Sequence, residues 1–68
     1  MSFSQLTEQY ALRAREFSEA VAFLGRYRKI GPEVIALMKE IRRRRDLCFE
    51  AAERLERYVQ ESKPTSDA

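Results

Sequence analysis

GPEVIALMKEIRRRRDLCFEAAERLERYVQE, residues 31–61, is the stretch that decides the fold. Pro32 opens it, and no further Gly or Pro follows until Pro64. Counted in alternating steps of four and three, it reads Val34, Met38, Ile41, Arg45, Cys48, Ala52, Leu55 and Val59. Every position but Arg45 is apolar, which is the heptad seam of a helix packed lengthwise on another. The spacing predicts one helix over about 32–61, about 45 Å long at the α-helical rise. Opposite charges stand one turn apart on its outer face: Glu40 with Arg44, Arg42 with Asp46, Glu50 with Arg54, Glu53 with Arg57. Each such pair adds only about 0.2–0.5 kcal/mol, but all of them favour an unbroken helix. Glu33 lies in the first turn, where the helix dipole favours an acid.

The upstream segment reads as the helix that covers this seam. Ser2 and Gln5 have the spacing of a capping box. Leu6, Tyr10, Phe17, Val21 and Leu24 then recur on one side, with Ala14 and Ala20 beside them and Phe3 and Tyr27 extending the stripe. The period is helical, and nothing alternates like a strand. Gly25 can end the helix as a left-handed cap, or sit inside it at a cost of about 1 kcal/mol relative to Ala. Tyr27 keeps the period, so the helix is expected over about 3–28. Gly31 before Pro32 fits the rule of Gly after one helix and Pro opening the next. A turn over about 29–31 is short enough to force the helices antiparallel, with Ile30 closing the core there. The expected fold is all-α: an antiparallel two-helix hairpin over residues 1–61. A tail over 62–68 has no apolar anchor and is expected to be disordered.

A chain of 68 residues makes one domain at most, and so small a core has little stability to spare. Cys48 is the only cysteine and there is no His, so neither an internal disulfide nor a zinc site is expected. No cofactor is expected either. Association is the remedy left, and most homo-oligomers are twofold, so the hairpin is expected to pair into a homodimeric four-helix bundle. Leu12, Phe23, Ile35, Leu47 and Phe49 lie off the seams. A lone hairpin buries one stripe per helix, so these five are the candidate interface, toward a second copy or another helical protein.

Charged residues make up 35% of the chain, yet the net charge is only +2. That balance suits solvated helix faces better than a dedicated nucleic-acid surface. Four successive residues on a helix point in four directions about 100° apart, so Arg42, Arg43, Arg44 and Arg45 cannot share one surface. Lys39, Arg42, Arg43 and Arg44 are the candidate phosphate-binding patch, for RNA or DNA, diluted by Glu40, Asp46 and Glu50. Arg43 is expected to face water, and Arg42 and Arg44 to flank the seam. Arg45 points into it, opposite Ala14 to Phe17, with Glu16 and Glu19 as candidate partners. Arg13 falls near Leu47 and Cys48. Two seam arginines, Arg13 and Arg45, read either as a polar layer that sets register and oligomeric state or as snorkelling side chains.

Catalysis is not expected. There is no Gly-rich phosphate loop, no nucleophile beside a base and no carboxylate pair on an apolar face. Tyr10, Tyr27 and Tyr58 read as core-edge residues with wet hydroxyls. No apolar run approaches the length of a membrane span, and the N-terminus lacks the basic start and apolar core of a signal peptide. A cytoplasmic protein with reduced Cys48 is the expectation. The expected function is a small protein–protein interaction module: an adaptor, chaperone-like partner or assembly subunit. The alternative is a small RNA- or DNA-binding regulator using the basic stretch. In length and helix pattern the chain resembles the Rop type of dimeric hairpin, which binds RNA; the likeness is one of layout and carries no site residues.

Overall fold

Ser2 starts the first helix by the exchange its spacing implies. Its hydroxyl accepts from the Gln5 N–H at 3.1 Å, and Gln5 Oε1 accepts from the Ser2 N–H at 3.0 Å. The computed structural model describes residues 1–62. It contains α1 (Phe3–Leu24, 22 residues) and α2 (Pro32–Glu61, 30 residues), packed against each other as an antiparallel hairpin. Gly31 enters α2 in an extended conformation (φ −158°, ψ −177°), as a residue before proline must. Ser62 closes α2 with its N–H on the Tyr58 carbonyl at 3.0 Å. The rest of the expected tail, 63–68, lies outside the described residues.

The first helix stops earlier than its period suggests. Gly25 keeps a right-handed conformation (φ −63°, ψ −12°), so it is neither a left-handed cap nor a residue inside the helix. The amides of Gly25, Arg26 and Tyr27 bond to the carbonyls three residues back, at 3.1, 3.1 and 3.2 Å. This tightened turn ends α1 at Leu24 while still holding Tyr27 half-buried, which is why the period runs past the helix. The connection is therefore residues 25–31 rather than about 29–31. Ile30 does not close the core; it is 88% exposed. With the longer turn, Leu24 and Tyr27 cover that end instead.

The Phe3 and Tyr58 rings lie 6.2 Å apart, and an Arg44 amine reaches the Glu16 carbonyl at 3.0 Å. These contacts fix the register, and they put Arg13 level with Cys48. The residues turned toward α1 are Val34, Leu37, Ile41, Arg44, Cys48, Ala51, Leu55 and Tyr58, each buried or half-buried. They follow steps of three and four, not four and three. Met38, Arg45 and Val59, expected in the seam, are exposed, and Ala52 sits at its edge. On α1, Val21 is likewise exposed and Ala20 is buried in its place. The reason is that α2 carries two alternating columns of the same character. Leu37, Arg44 and Ala51 match Met38, Arg45 and Ala52 in kind, and Tyr58 is followed by another apolar residue, Val59. One partner helix can cover only one of them. The buried residues are Leu6, Ala20, Cys48 and Ala51. Two of these four are alanines, so the helices approach closely and enclose little volume.

Candidate functional site

The hairpin has two flanks of opposite chemistry. In an antiparallel pair, residues just before the contact column on each helix share one side, and residues just after it share the other. The first flank carries Gln9, Leu12, Glu16 and Phe23 of α1 beside Glu40, Arg43, Leu47 and Arg54 of α2. Gln9, Leu12, Arg13, Ala51 and Arg54 line a common depression there.

A chain of ion pairs crosses this first flank. Glu40 Oε2 accepts from Arg43 Nη2 at 2.6 Å and from Arg44 Nε at 2.8 Å, while Arg43 Nε reaches Glu40 Oε1 at 3.1 Å. Arg44 continues across the seam to the Glu16 carbonyl, and the Glu16 carboxylate takes Arg13 Nη1 at 3.1 Å. The hydrogen bond from Arg43, then that from Arg44, hold the Glu40 carboxyl down at about 2 against an ordinary 4.5. The arginine run is thus largely engaged within the chain: Arg43 and Arg44 by Glu40, and Arg45 by Asp46 at 3.2 Å. Among the described residues no ion pair involves Lys39 or Arg42.

The arginine that reaches across the seam is Arg44, where Arg45 was expected. Arg44 is one-third exposed in its side chain and has a carboxylate one turn back and a carbonyl across the seam. Arg45 stands 100° further round, 45% exposed, with its guanidinium 5.9 Å from the Phe49 ring centroid. Arg13 keeps its place in the seam and reaches outward to Glu16. Neither Glu16 nor Glu19 pairs with Arg45 among the described residues.

The second flank is apolar. Of the large apolar side chains left exposed, Phe3, Tyr10 and Val21 of α1 and Ile35, Met38, Phe49 and Val59 of α2 fall on this side. The α1 half of it adds Ser4, Thr7, Ala11, Ala14 and Ser18 and carries no charge at all. In a chain with 35% charged residues, such a strip is a marked depletion, and depletion of charge distinguishes the centre of an interface from ordinary surface. The α2 half carries Arg42, Arg45 and Glu56 among its apolar residues.

The five candidate interface residues therefore do not form one patch. Ile35 and Phe49 lie on the apolar flank, 54% and 58% exposed. Leu12, Phe23 and half-buried Leu47 lie on the charged flank. There the Arg26 guanidinium covers the Phe23 ring at 5.2 Å. Phe3, Tyr10, Val21, Met38 and Val59 complete the apolar side; the first three belong to the stripe that the period gives α1, and the last two to the seam that it gives α2. The duplicated column on α2 is the signal that could have exposed them.

No group of three or more metal-binding side chains occurs among the described residues, and no described helix is long and apolar enough to cross a membrane. No protein-family model matches the chain, and no curated protein or solved structure does either.

Proposed function

We propose that this protein is a small non-catalytic interaction module that works by helix–helix packing, as a homodimeric four-helix bundle in its simplest form. One observation carries the reading: an apolar flank with an uncharged α1 half, left open along the length of the hairpin. Each exposed large apolar residue there is about half accessible, and full burial of such a side chain is worth roughly 1.5–3 kcal/mol. Covering seven half-exposed residues therefore offers roughly 5–10 kcal/mol per chain. The internal core is thin by comparison, so association and folding are expected to be linked.

The alternative, an RNA- or DNA-binding regulator, needs cations free to displace counterions. Arg43, Arg44 and Arg45 are held by acids, which leaves Lys39 and Arg42 as weak support for it. Two titrations separate the readings. For a module, the thermal midpoint followed by helical circular dichroism rises with protein concentration, and RNA binds only weakly. For a regulator, the chain binds RNA or duplex DNA with an affinity that falls steeply with salt, whether or not the midpoint depends on concentration.

A further inference from the structure

We infer that the exposed α2 face docks on the same face of a second copy, the two α2 helices running antiparallel about a twofold axis between Phe49 and Ala52. This rests on the interaction-module reading and adds the occupant, the surface and the orientation.

The face is large enough. About this axis, residues 40–61 of α2 and 3–18 of α1 lie over their copies, two strips about 10 Å wide that present roughly 570 Å² per partner in projection, at the lower end of specific interfaces. The exposed column also has the form of a helix seam. Met38, Arg45, Ala52 and Val59 repeat the character of the column α1 already covers, down to an alanine that permits close approach.

Charge selects the occupant and its direction. Toward the N-terminal half of α2 the face carries Arg42 and Arg45, with Lys39 and Asp46 at its outer border; toward the C-terminal half it carries Glu56, with Glu53 at that border. Arg45 and Glu56 stand equally far from the midpoint between Phe49 and Ala52, about 8 Å along the helix in opposite directions. A twofold antiparallel pairing at that midpoint sets Phe49 on Ala52 of the second copy. It also brings Arg45 level with Glu56 of that copy, with Arg42 one turn beyond. Parallel α2 helices would set Arg42 and Arg45 against their own copies, which is repulsive. Placing α2 on α1 of the second copy would bury both arginines against a strip with no charge to pair them, which is strongly unfavourable. Of these arrangements, only the antiparallel one sets Arg45 against an acid, Glu56 of the second copy. The same axis crosses α1 near Tyr10 and Ala11, where Thr7, Ala11 and Ala14 are small enough for the two α1 helices to meet.

The test is charge reversal and mixing, followed by sedimentation and circular dichroism at micromolar concentration. One variant carries Arg42→Glu and Arg45→Glu, the other Glu53→Arg and Glu56→Arg. The native chain is expected to sediment at about twice its 8.0 kDa. Each variant alone should self-associate at least about 100-fold more weakly, because like charges across an interface cost several kcal/mol. An equimolar mixture should recover both the dimer mass and the helical signal, and this holds even if each variant alone is unfolded. A dimeric native chain whose variants dimerise as well as it does overturns this surface and leaves the module reading standing. So does a mixture that recovers nothing. A native chain that sediments as a folded 8.0 kDa monomer and binds RNA overturns both.

Discussion

Ala51 and Ala52 are neighbours in sequence with opposite structural duties, and replacing each by Leu separates the two sides of α2. Ala51 is 3% exposed, on the face of α2 turned toward α1. Three added carbons must displace the α1 side chains packed on it or turn out into the depression it borders, and overpacking of this kind costs about 1–3 kcal/mol. For a domain of this size, 1 kcal/mol moves the thermal midpoint by about 4–8 °C, so Ala51→Leu should lower it by roughly 5–20 °C. That loss lies inside one chain and should persist at every dilution. Ala52 is half-buried at the edge of the same contact, with open space toward the apolar flank. In dilute solution Ala52→Leu should cost no more than about 0.5 kcal/mol, as surface substitutions do. Its effect should instead appear in association: the rise of the midpoint with concentration should shrink, because the added carbons meet Phe49 of a second copy. The assay is thermal unfolding by circular dichroism across a hundredfold range of concentration. The reasoning is refuted if Ala52→Leu is the more damaging substitution at low concentration, for α1 would then cover the column Met38, Arg45, Ala52 and Val59.

Three further outcomes are expected. Glu40 has a folded-state pKa depressed from 4.5 to about 2, so the stability it contributes is complete above pH 4.5 and is lost as pH falls toward 2. Glu40→Gln should therefore lower the midpoint at neutral pH, and the native and variant curves should converge by about pH 2; the gap should narrow in about 1 M salt. Phe49→Glu should give monomers or unfolded chains, whereas Leu47→Glu, on the charged flank, should leave the sedimenting mass unchanged; equal loss in both would mean that both flanks are covered. Arg43→Ala removes an exposed partner of Glu40 and should leave association intact, and an accompanying loss of RNA binding, read by fluorescence anisotropy, would restore the nucleic-acid reading.

Much of the hairpin was legible because its signals are local. The capping box at Ser2 and Gln5, Pro32 at the head of α2 and the charge pairs one turn apart act over three or four residues. Any antiparallel fold near Ile30 also sets Arg13 level with Cys48. The end of α1 was less legible, since a tightened turn keeps Tyr27 facing inward just as another helical turn would. Ile30 illustrates the same limit: an apolar residue in a turn looks like a core residue until the length of the turn is known. The site was read in part. Membership of Ile35 and Phe49 in an exposed face follows from the pattern, but the separation of Leu12, Phe23 and Leu47 from them depends on which column of α2 meets α1.

That last choice could not be made from one chain, and the cause is physical. Leu37, Arg44 and Ala51 differ from Met38, Arg45 and Ala52 by one residue step, about 100° of rotation, and by little in hydrophobicity or size; only Tyr58, with its ring on Phe3, differs much from its neighbour Val59. A hairpin by itself would gain nearly as much by turning α2 to present the other column, so the monomer is poorly specified. What breaks the tie inside the chain is polar: Arg44 has Glu40 one turn back and the Glu16 carbonyl across the seam, while Arg45 has only adjacent Asp46. A second copy on the apolar flank would break it more strongly, because Arg45, Ala52 and Val59 of the second column are then covered by the opposing α2 while α1 covers the first. Dimerisation in the proposed geometry should therefore sharpen the packing as well as stabilise it. Amide exchange tests this directly. Protection along α2, on both columns, should rise together with concentration, and protection that rises on neither column while the chain dimerises would place the interface elsewhere.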